Sequence, residues 1–390
     1  MRTIGVVTTS RADWGIYRPL LKAIQGEPGL ELRLIVSGMH LAPEFGLTMR
    51  QIEQEGWPVA AKVEMLLSSD SPEGVAKSMG LGVMGFAQAL AQINPDLLVI
   101  LGDRFEMLSA AVAALPLGLP LAHLHGGELT LGAMDDAARH AMTKLSHLHF
   151  VSTREYARRV VQMGEEPWRV TVCGALSLDN LEGMELLDLS ALGQELDLNL
   201  DPAPLLVTYH PVTREPGQGP AQMAELLAAL EQAGRQAVFT LPNADAGGRE
   251  LASMVRSFTS DHPWAAIRDN LGTQKYFSLM KHAAAMVGNS SSGIIEAPSF
   301  GLPVVNVGAR QAGRVRGANV VDVGCGRREI QAGIAQALEP SFRQGLAGVP
   351  NPYGDGGAAG RVVTALKQAK LGAGLTTKRF ADQLWPADAS

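Results

Sequence analysis

A short polar stretch, HLHGGELTLGAMDD, follows an apolar run in the first third of the chain. It places His125 three residues before Glu128 and ends in the adjacent carboxylates Asp135 and Asp136. Another carboxylate, Asp103, lies upstream in LGDRFE, directly behind the apolar run DLLVI. Carboxylates that crowd together move each other's pKa values apart, which yields one acid and one base near neutral pH. The stretch is therefore a candidate for proton transfer.

The same side chains also have structural roles open to them. Asp103 is well placed to cap the helix that follows it. The helical segment MDDAARHAMTK contains the i,i+4 pairs Asp135–Arg139 and Asp136–His140, each worth about 0.3–0.5 kcal/mol if exposed. The residue types by themselves do not separate these roles from catalysis.

A serine-rich stretch, GNSSSGIIEAP, follows a predicted strand and opens a helical pattern in the second half of the chain. Its hydroxyls, Ser290, Ser291 and Ser292, precede Gly293 at the predicted start of the helix. Backbone N–H groups, hydroxyl donors and the helix dipole all favour a phosphate at such a place. Glu296 follows one turn later, where it could accept hydrogen bonds from a ribose diol. A helix cap would need fewer hydroxyls, so the pattern favours a phosphate site.

Two further residues stand where predicted strands end. Arg11, in TTSRADWG, could bind a phosphate through two N–H groups, although a solvated loop arginine explains it more simply. His210, in VTYHPVTRE, suits a phosphate contact or an acid equally well as a loop histidine bonded to a neighbouring backbone group. The first loop lacks the pattern G-x-G-x-x-G, which argues against a dinucleotide-binding protein.

The composition excludes several classes of protein. The chain has 390 residues and a formal net charge of −6, without the basic patch that nucleic acid or a membrane surface would select. Cys173 and Cys325 lie far apart and lack a metal-like spacing, so we expect reduced thiols, no disulfide and no metal. The longest apolar run, AAVAALPLGLPL, is too short to span a membrane. We expect a cytoplasmic protein that needs no cofactor.

Short apolar runs alternate with helical patterns along the chain, which indicates buried parallel strands in α/β units. One predicted helix covers residues 14–25 after Asp13 as its N-cap, and another covers 220–233 with Pro220 near its start. The predicted strands are TIGVVTT, LRLIVSG, DLLVILG, PLAHLHG, HFVST, VTVCG, LLVTYH, AVFTL, AAMVG and LPVVNVG. Ligands in such sheets bind at the carboxyl ends of the strands.

The alternation of predicted strands and helices is interrupted once, by an acidic segment that ends in two prolines. We therefore predict an N-terminal Rossmann-like domain over residues 1–175, a linker over 176–203 and a second Rossmann-like domain over 204–365. The tail, 366–390, is expected to pack back on the N-terminal domain.

Taken in order, the motifs of the chain resemble those of the UDP-N-acetylglucosamine 2-epimerase family, and above all its hydrolysing branch. That branch begins the biosynthesis of sialic and legionaminic acid-type sugars. The resemblance covers almost the whole chain and rests on TSRADWGIYRPLL, GDRFE, HLHGGE, DDAARHAMTK, SHLHFVST, VCGALSLDN, TYHPVT and GNSSSGIIEAPSFGLPVVNVGARQAGR. It implies an α/β protein of the GT-B fold, with two doubly wound parallel-sheet domains and a cleft between them.

The resemblance also implies roles for individual residues. UDP is expected on the second domain and the sugar chemistry on the first. The expected ligands of UDP and its diphosphate are Arg11, His210, Ser290, Ser291, Ser292, Gly293 and Glu296. The expected catalytic residues are Asp103, His125, Glu128, Asp135, Asp136, Arg139 and His140.

One departure from the family pattern concerns the first of these motifs. Related epimerases often have H-x-E-G-G or H-x-E-A-G where this chain has HLHGGE. His125 thus takes the place of the expected acid, and Glu128 follows three residues later. The departure favours the hydrolysing branch, but it leaves open which of the two residues moves a proton.

The implied reaction starts from UDP-N-acetylglucosamine or its 2,4-diacetamido-2,4,6-trideoxy analogue. UDP is eliminated to leave a glycal, and water then adds to give the free sugar with C2 inverted. The alternatives are a non-hydrolysing epimerase, a GT-B glycosyltransferase and a non-catalytic UDP-sugar sensor. Relatives form homodimers or homotetramers, and we expect the same here.

Overall fold

The chain forms two compact α/β units. The computed structural model describes residues 1–69, 71–131, 134–211, 217–241, 248–268 and 271–382. Of these, residues 1–128, 134–182 and 356–382 form the first unit, and residues 129–131 and 183–355 form the second.

A parallel sheet with the strand order β3-β2-β1-β4-β5-β6-β7 forms the centre of the first unit. Its strands are β1 (Arg2–Thr8), β2 (Leu30–Ser37), β3 (Val59–Val63), β4 (Leu97–Leu101), β5 (Leu121–Leu124), β6 (Leu148–Val151) and β7 (Val170–Val172). The central strands are buried on both faces, which explains why their sequences are continuously apolar instead of alternating.

The second unit contains a parallel sheet with the strand order β10-β9-β8-β11-β12-β13. Its strands are β8 (Leu205–Thr208), β9 (Ala237–Thr240), β10 (Ala265–Ile267), β11 (Ala285–Gly288), β12 (Val304–Val307) and β13 (Val320–Val323). All ten predicted strands are present in the two sheets. The three strands that the sequence analysis missed, β3, β10 and β13, lie at sheet edges, where short and half-exposed segments give a weak apolar signal.

The helices cover the faces of the two sheets. In chain order they are α1 (Arg11–Gly26), α2 (Met49–Gln54), α3 (Pro72–Ile93), α4 (Phe105–Ala114), α5 (Met134–Leu145), α6 (Arg154–Gln162), α7 (Leu189–Leu196), α8 (Gly219–Ala233), α9 (Gly248–Asp261), α10 (Gly272–His282), α11 (Ser292–Ile295), α12 (Arg327–Leu338), α13 (Pro340–Gly345), α14 (Ala358–Gln368) and α15 (Ala373–Thr376). None of the helices in the described ranges is both long and apolar enough to cross a bilayer.

The first helix begins earlier than the sequence pattern predicts. Its N-cap is Ser10, whereas Asp13, the predicted cap, lies inside the first turn. The Asp13 carboxylate reaches back and accepts hydrogen bonds from the backbone N–H groups of Thr9 and Ser10, both at 3.0 Å. Ser10 and Asp13 thus form a capping box, a pairing in which both residues satisfy N–H groups that the helix itself leaves free.

The predicted linker contains two short helical segments. A 3₁₀ helix, Leu176–Leu181, belongs to the first unit, and α7 belongs to the second. Asp179 accepts hydrogen bonds from the backbone N–H groups of Ala358 and Ala359 at 2.9 and 2.6 Å, so it caps α14. The predicted tail lies in the first unit as far as residue 382, and its last residues, 383–390, lie outside the described part of the chain.

Candidate active site

Asp103 follows β4 at the carboxyl edge of the first sheet. It does not cap α4, since the N-cap position of that helix belongs to Arg104. The carboxylate is instead hydrogen-bonded to the guanidinium group of Arg139, which reaches it from α5. Asp103 is therefore not the N-cap residue of α4, and the capping role that the sequence offers for it is wrong.

Arg139 joins the carboxylates of this edge. Its guanidinium is buried and donates to the backbone carbonyl of His125 at 3.0 Å as well as to Asp103. The same group lies 3.9 Å from Glu128 Oε2. A buried guanidinium beside two carboxylates offsets part of the desolvation cost of the buried charges.

His125 and Glu128 form a pair behind β5. Nδ1 of His125 lies 2.8 Å from Glu128 Oε1, and the hydroxyl of Ser152 donates to the same oxygen at 3.1 Å. The Glu128 side chain is 2% exposed. Nε2 of His125 is buried and has no hydrogen-bond partner among the residues that the structure describes. Within the described residues, the pair therefore leaves one imidazole nitrogen without a hydrogen-bond partner.

The backbone of His125 is held in a left-handed conformation with φ at 62°. Such a conformation costs a non-glycine residue on the order of 1 kcal/mol or more and is concentrated at functional sites. The backbone N–H of His125 donates to the carbonyl of Phe150 at 2.9 Å, and its carbonyl accepts from Arg139. A Cβ on Gly127, two residues later, would lie 2.6 Å from the Tyr156 carbonyl oxygen. The loop thus depends on glycine to bring His125 to its position.

The first turn of α5 supplies the acidic pair of the predicted cluster. Burial, and after it the nearby Asp103 charge, raises the pKa of Asp135 to about 6. Asp136 instead pairs with His140, Oδ2 to Nε2 at 3.6 Å, as the i,i+4 spacing predicts. Asp135 is therefore the carboxyl group of this edge that is poised to carry a proton near neutral pH.

His123 is a residue of this site that the sequence analysis missed. It is fully buried in β5, where its Nε2 lies 2.8 Å from the carbonyl oxygen of Gly102 and its Nδ1 lies 3.2 Å from the Thr143 hydroxyl. Burial lowers its pKa to about 3, so the ring is neutral and Nε2 donates to Gly102. The bond fixes the peptide directly before Asp103. The signal in the sequence is a histidine inside an otherwise apolar strand.

In the second unit, the loops behind β8 and β11 are tied together by one buried side chain. The Asn289 amide accepts from the backbone N–H of His210 at 2.7 Å and donates to the His210 carbonyl at 2.8 Å. Arg310 and Gln311 donate to the Asn289 carbonyl at 3.1 and 2.8 Å. Burial, followed by the Arg310 charge, lowers the pKa of His210 to about 3. His210 is therefore a neutral hydrogen-bonding group.

The predicted serine motif lies at the end of β11, but the helix that it opens is only one turn long. The N-cap, Ser291, makes no capping bond through its side chain, whereas the Ser290 hydroxyl accepts from the backbone N–H of Ser292 at 3.3 Å, so helix capping accounts for only one of the three hydroxyls. Burial, followed by the Glu296 charge, raises the pKa of the Tyr276 phenol to about 12, although the nearby hydroxyls of Ser292 and Ser290 oppose the shift. Tyr276 had no signal in the sequence, because nothing in its local pattern distinguishes it from a core aromatic residue.

The structure thus brings some of the predicted site residues together and leaves others apart. Arg139 links Asp103 to His125, His125 pairs with Glu128, and Asp135 is within electrostatic reach of Asp103. In the second unit, His210 and the serine motif follow neighbouring strands. Arg11 is exposed on the first turn of α1, as expected of a solvated arginine.

Two α/β units, each with a parallel sheet and polar loops after its strands, define a protein of the GT-B class. Solved structures with the same fold support this assignment. A UDP complex of MnaA from Staphylococcus aureus superposes with a TM-score of 0.77 at 17% identity, covering 94% of this chain and 96% of that chain. The sequence model of the UDP-N-acetylglucosamine 2-epimerase family matches residues 22–367, and the chain belongs to that family. The predicted fold class and family are confirmed.

Two relatives place this chain in the hydrolysing branch of the family. The GDP/UDP-N,N'-diacetylbacillosamine 2-epimerase (hydrolyzing) of Campylobacter jejuni is 43% identical over 82% of this chain and 84% of its own length. The UDP-N,N'-diacetylbacillosamine 2-epimerase (hydrolyzing) of Legionella pneumophila is 35% identical over 95% of this chain and 97% of its own length.

Proposed function

We propose that this protein is a hydrolysing UDP-sugar 2-epimerase. It converts UDP-N-acetylglucosamine, or UDP-2,4-diacetamido-2,4,6-trideoxyglucose, into UDP and the free 2-epimeric sugar of the manno series. The names of the two relatives favour the diacetamido substrate, which is UDP-N,N'-diacetylbacillosamine. The observation that carries the proposal is the buried cluster in which Arg139 joins Asp103 to the His125–Glu128 pair.

The reaction needs proton transfer at C2 and stabilisation of the leaving diphosphate at C1. Elimination of UDP removes the C2 proton to a base and leaves a C1=C2 glycal. Water then adds hydroxide at C1 and a proton at C2 from the opposite face, which inverts C2. His125 Nε2 and the carboxyl groups of Asp103 and Asp135 are the proposed proton carriers. Nε2 has no hydrogen-bond partner among the described residues, the pKa of Asp135 is raised to about 6, and Asp103 is one of the charges that raise it.

The remaining residues of the first unit position these proton carriers. Arg139 holds the Asp103 carboxylate and the His125 carbonyl, and Glu128 orients the His125 ring. Asp136 and His140 form their own pair on the surface of α5 and are proposed to border the sugar.

The second unit is proposed to bind UDP. The hydroxyls of Ser290, Ser291 and Ser292, with the backbone of Gly293, provide donors for the diphosphate, and Glu296 accepts from the ribose. His210 contributes as a neutral donor, since its pKa of about 3 excludes a cationic ring at neutral pH. Arg11 is the proposed cationic ligand. The proposal requires no metal and no cofactor, and the protein is expected to act as a homodimer or homotetramer in the cytoplasm.

Proton NMR in D2O tests the function directly. With the diacetamido substrate, and separately with UDP-N-acetylglucosamine, we expect release of UDP, a free manno sugar and deuterium at C2. Product that keeps UDP would identify a non-hydrolysing epimerase, and transfer only to an added acceptor would identify a glycosyltransferase. Tight binding of both substrates without turnover would identify a sensor.

A further inference from the structure

The loop that contains His125 and Glu128 lies directly against one face of α6. A Cβ on Gly127, in the middle of the loop, would lie 2.6 Å from the Tyr156 carbonyl oxygen and 2.9 Å from Cγ2 of Val160. A residue larger than glycine would therefore push the loop away from the helix backbone. The close contact makes α6 the surface that sets the shape of this loop.

Arg159 extends from the same face of α6 to the loop. It follows Tyr156 by three residues, so the two side chains are neighbours on the helix. Its Nη1 donates to the carbonyl oxygen of Gly127. Its guanidinium lies over the Tyr156 ring, with 5.6 Å between Cζ and the ring centroid. Because a hydrogen bond from a guanidinium is charge-assisted, it fixes the peptide between Gly127 and Glu128 more firmly than a neutral donor would.

The residues at the start of α6 hold the carboxylate of the same loop. Ser152 donates its hydroxyl to Glu128 Oε1 at 3.1 Å, and that oxygen also pairs with His125 Nδ1. The next residue, Thr153, is the N-cap of α6 and accepts from the backbone N–H of Tyr156 at 3.2 Å. The backbone before Glu128 and the Glu128 side chain are thus both bound to α6 or to the residues that begin it.

Two arginines bind alternate carbonyls of the loop, but only one of them also binds Asp103. Arg139 donates to the His125 carbonyl and to the Asp103 carboxylate, so its loss would change the carboxylate cluster itself. The carboxylate nearest to Arg159 is Glu155, at 3.5 Å, which lies on α6 and has a side chain that is 56% exposed. A change at Arg159 therefore tests the position of the loop separately from the Arg139–Asp103 pair.

We propose that Arg159 is a positioning residue for proton transfer at His125, an inference that rests on the proposed function. The two glycines that follow His125 leave the loop backbone free to adopt many conformations unless contacts hold it. Without the bond from Arg159, the Gly127 peptide rotates and takes Glu128, which orients the His125 ring, out of alignment. A displacement of about 1 Å at a reacting group costs about 10²-fold in rate.

Steady-state kinetics of the full chain with UDP-N,N'-diacetylbacillosamine test the proposal. Arg159→Met keeps the apolar stem but removes the donor, so kcat is expected to fall about 10–100-fold. KM should change by less than about twofold, because substrate binding is not the step affected. Arg159→Lys keeps a charged donor for one carbonyl and is expected to bring kcat back to within about fivefold of the wild type.

Arg158→Met is the matched control for the loss of a positive charge from α6. Arg158 precedes Arg159 by one position and its side chain is exposed. Its substitution is expected to leave kcat and KM unchanged. A loss of kcat as large as that of Arg159→Met would overturn the proposal, because it would reflect a general weakening of α6.

Hydrogen exchange followed by mass spectrometry provides a readout that does not depend on turnover. The backbone N–H of His125 donates to the Phe150 carbonyl at 2.9 Å, which protects it from exchange. In Arg159→Met its exchange is expected to be faster by about tenfold or more, and in Arg158→Met it should equal that of the wild type. If the wild type turned over neither UDP-sugar, the proposed function would fail, and the exchange rates would still decide whether Arg159 positions the loop.

Circular dichroism and melting curves establish that each variant is folded. If Arg159→Met is not folded, Arg159→Gln takes its place, since its side chain is too short to replace the guanidinium group. Slow turnover at unchanged KM, fast exchange at His125 and recovery of both in Arg159→Lys would support the proposal. A folded Arg159→Met protein with the kcat and exchange rate of the wild type would overturn it, and so would one in which only KM changes.

Discussion

At the scale of single residues, the geometry around His125 and Glu128 bears on which of them moves a proton. Glu128 is almost fully buried, and one of its oxygens already accepts bonds from His125 and Ser152. His125 directs Nδ1 at that carboxylate and has Nε2 available. A carboxylate that accepts from Nδ1 orients the ring and stabilises the imidazolium that forms when Nε2 takes a proton. We therefore infer that His125 transfers the proton and Glu128 positions it.

This assignment makes a prediction about three variants. His125→Gln should lower kcat by about 10²–10⁴-fold, the usual contribution of a general acid or base, with KM little changed. Glu128→Gln should lower kcat less, because its amide oxygen still accepts from Nδ1. The double variant should be no slower than His125→Gln, since the two residues act as one unit.

The matched control for these variants is His262→Gln. His262 also lies near a glutamate, 3.5 Å from Glu231, but in the second unit at the end of α9. Its loss should leave kcat unchanged. Near-normal turnover in His125→Gln together with an inactive Glu128→Gln would reverse the assignment.

At the scale of secondary-structure elements, the end of β11 shows how a strand positions the serine motif. Gly288 has φ at 138°, and a Cβ there would lie 1.9 Å from the carbonyl oxygen of Thr208 on β8. The close approach lets the next residue, Asn289, bond both backbone groups of His210. The glycine therefore holds together the two loops that are proposed to bind the diphosphate.

Gly288→Ala should for that reason damage stability and binding together. The forced contact and the unfavourable φ are expected to cost about 2–4 kcal/mol, and the affinity for UDP should fall at least tenfold. Thermal unfolding and calorimetric titration with UDP measure the two effects. Gly345→Ala in α13 is the control, because a Cβ there meets no atom within 4 Å. A Gly288→Ala protein that binds UDP normally would remove the strand end from the proposed site.

At the scale of the whole molecule, buried histidines couple stability to pH. Burial lowers the pKa of His123 and His210 to about 3 and that of His147 to about 4, against about 6.5 in an unfolded chain. Below pH 6.5 the unfolded chain takes up protons that the folded chain cannot, so stability is full above that pH and declines as the pH falls. Asp135 acts in the opposite direction below pH 6, but it is one group against these three histidines and against His140 and His149, whose pKa burial also lowers.

Protonation of Glu165 causes a second loss of stability at lower pH. Burial by itself would raise its pKa, but hydrogen bonds from His149, Lys144 and Lys378 lower it to about 2. Its contribution is complete above the unfolded value of about 4.3 and is lost as the pH falls towards 2. The carboxylate connects the tail of the chain, through Lys378, to the end of α5, through Lys144. Acid is thus expected to loosen the tail as well as the core.

These pKa values predict that the urea midpoint falls between pH 7.5 and pH 5.5 and falls more steeply below pH 4.3. Each buried histidine contributes up to about 1.4 kcal/mol per pH unit below 6.5. His123→Gln should reduce the slope by the equivalent of one proton, although it also lowers stability at pH 7.5. An equal midpoint at pH 7.5 and 5.5 would contradict the prediction.

The class of the fold and the order of the motifs can be predicted from the amino-acid sequence alone. Continuous apolar runs such as DLLVI predict buried parallel strands, because both faces of such a strand are covered. Edge strands such as β3 were not predicted, because they are only partly buried and their sequences therefore lack a continuous apolar run. The predicted contact between Asp136 and His140 was correct, because residues four positions apart in a helix lie on the same face.

Contacts between side chains of different strands and helices, in contrast, depend on how the whole chain folds. Asp103 could have capped its own helix, but Arg139, 36 residues away, binds it instead. The N-cap of α1 is Ser10 and not, as the sequence pattern predicted, Asp13. The pattern does not show which side-chain oxygen reaches the free N–H groups at the start of the helix. The pairing of His125 with Glu128 depends on a left-handed backbone at His125, which contacts with Phe150 and Arg139 hold in place. Local sequence specifies propensities, whereas such pairings depend on which side chains the folded chain brings within hydrogen-bond distance.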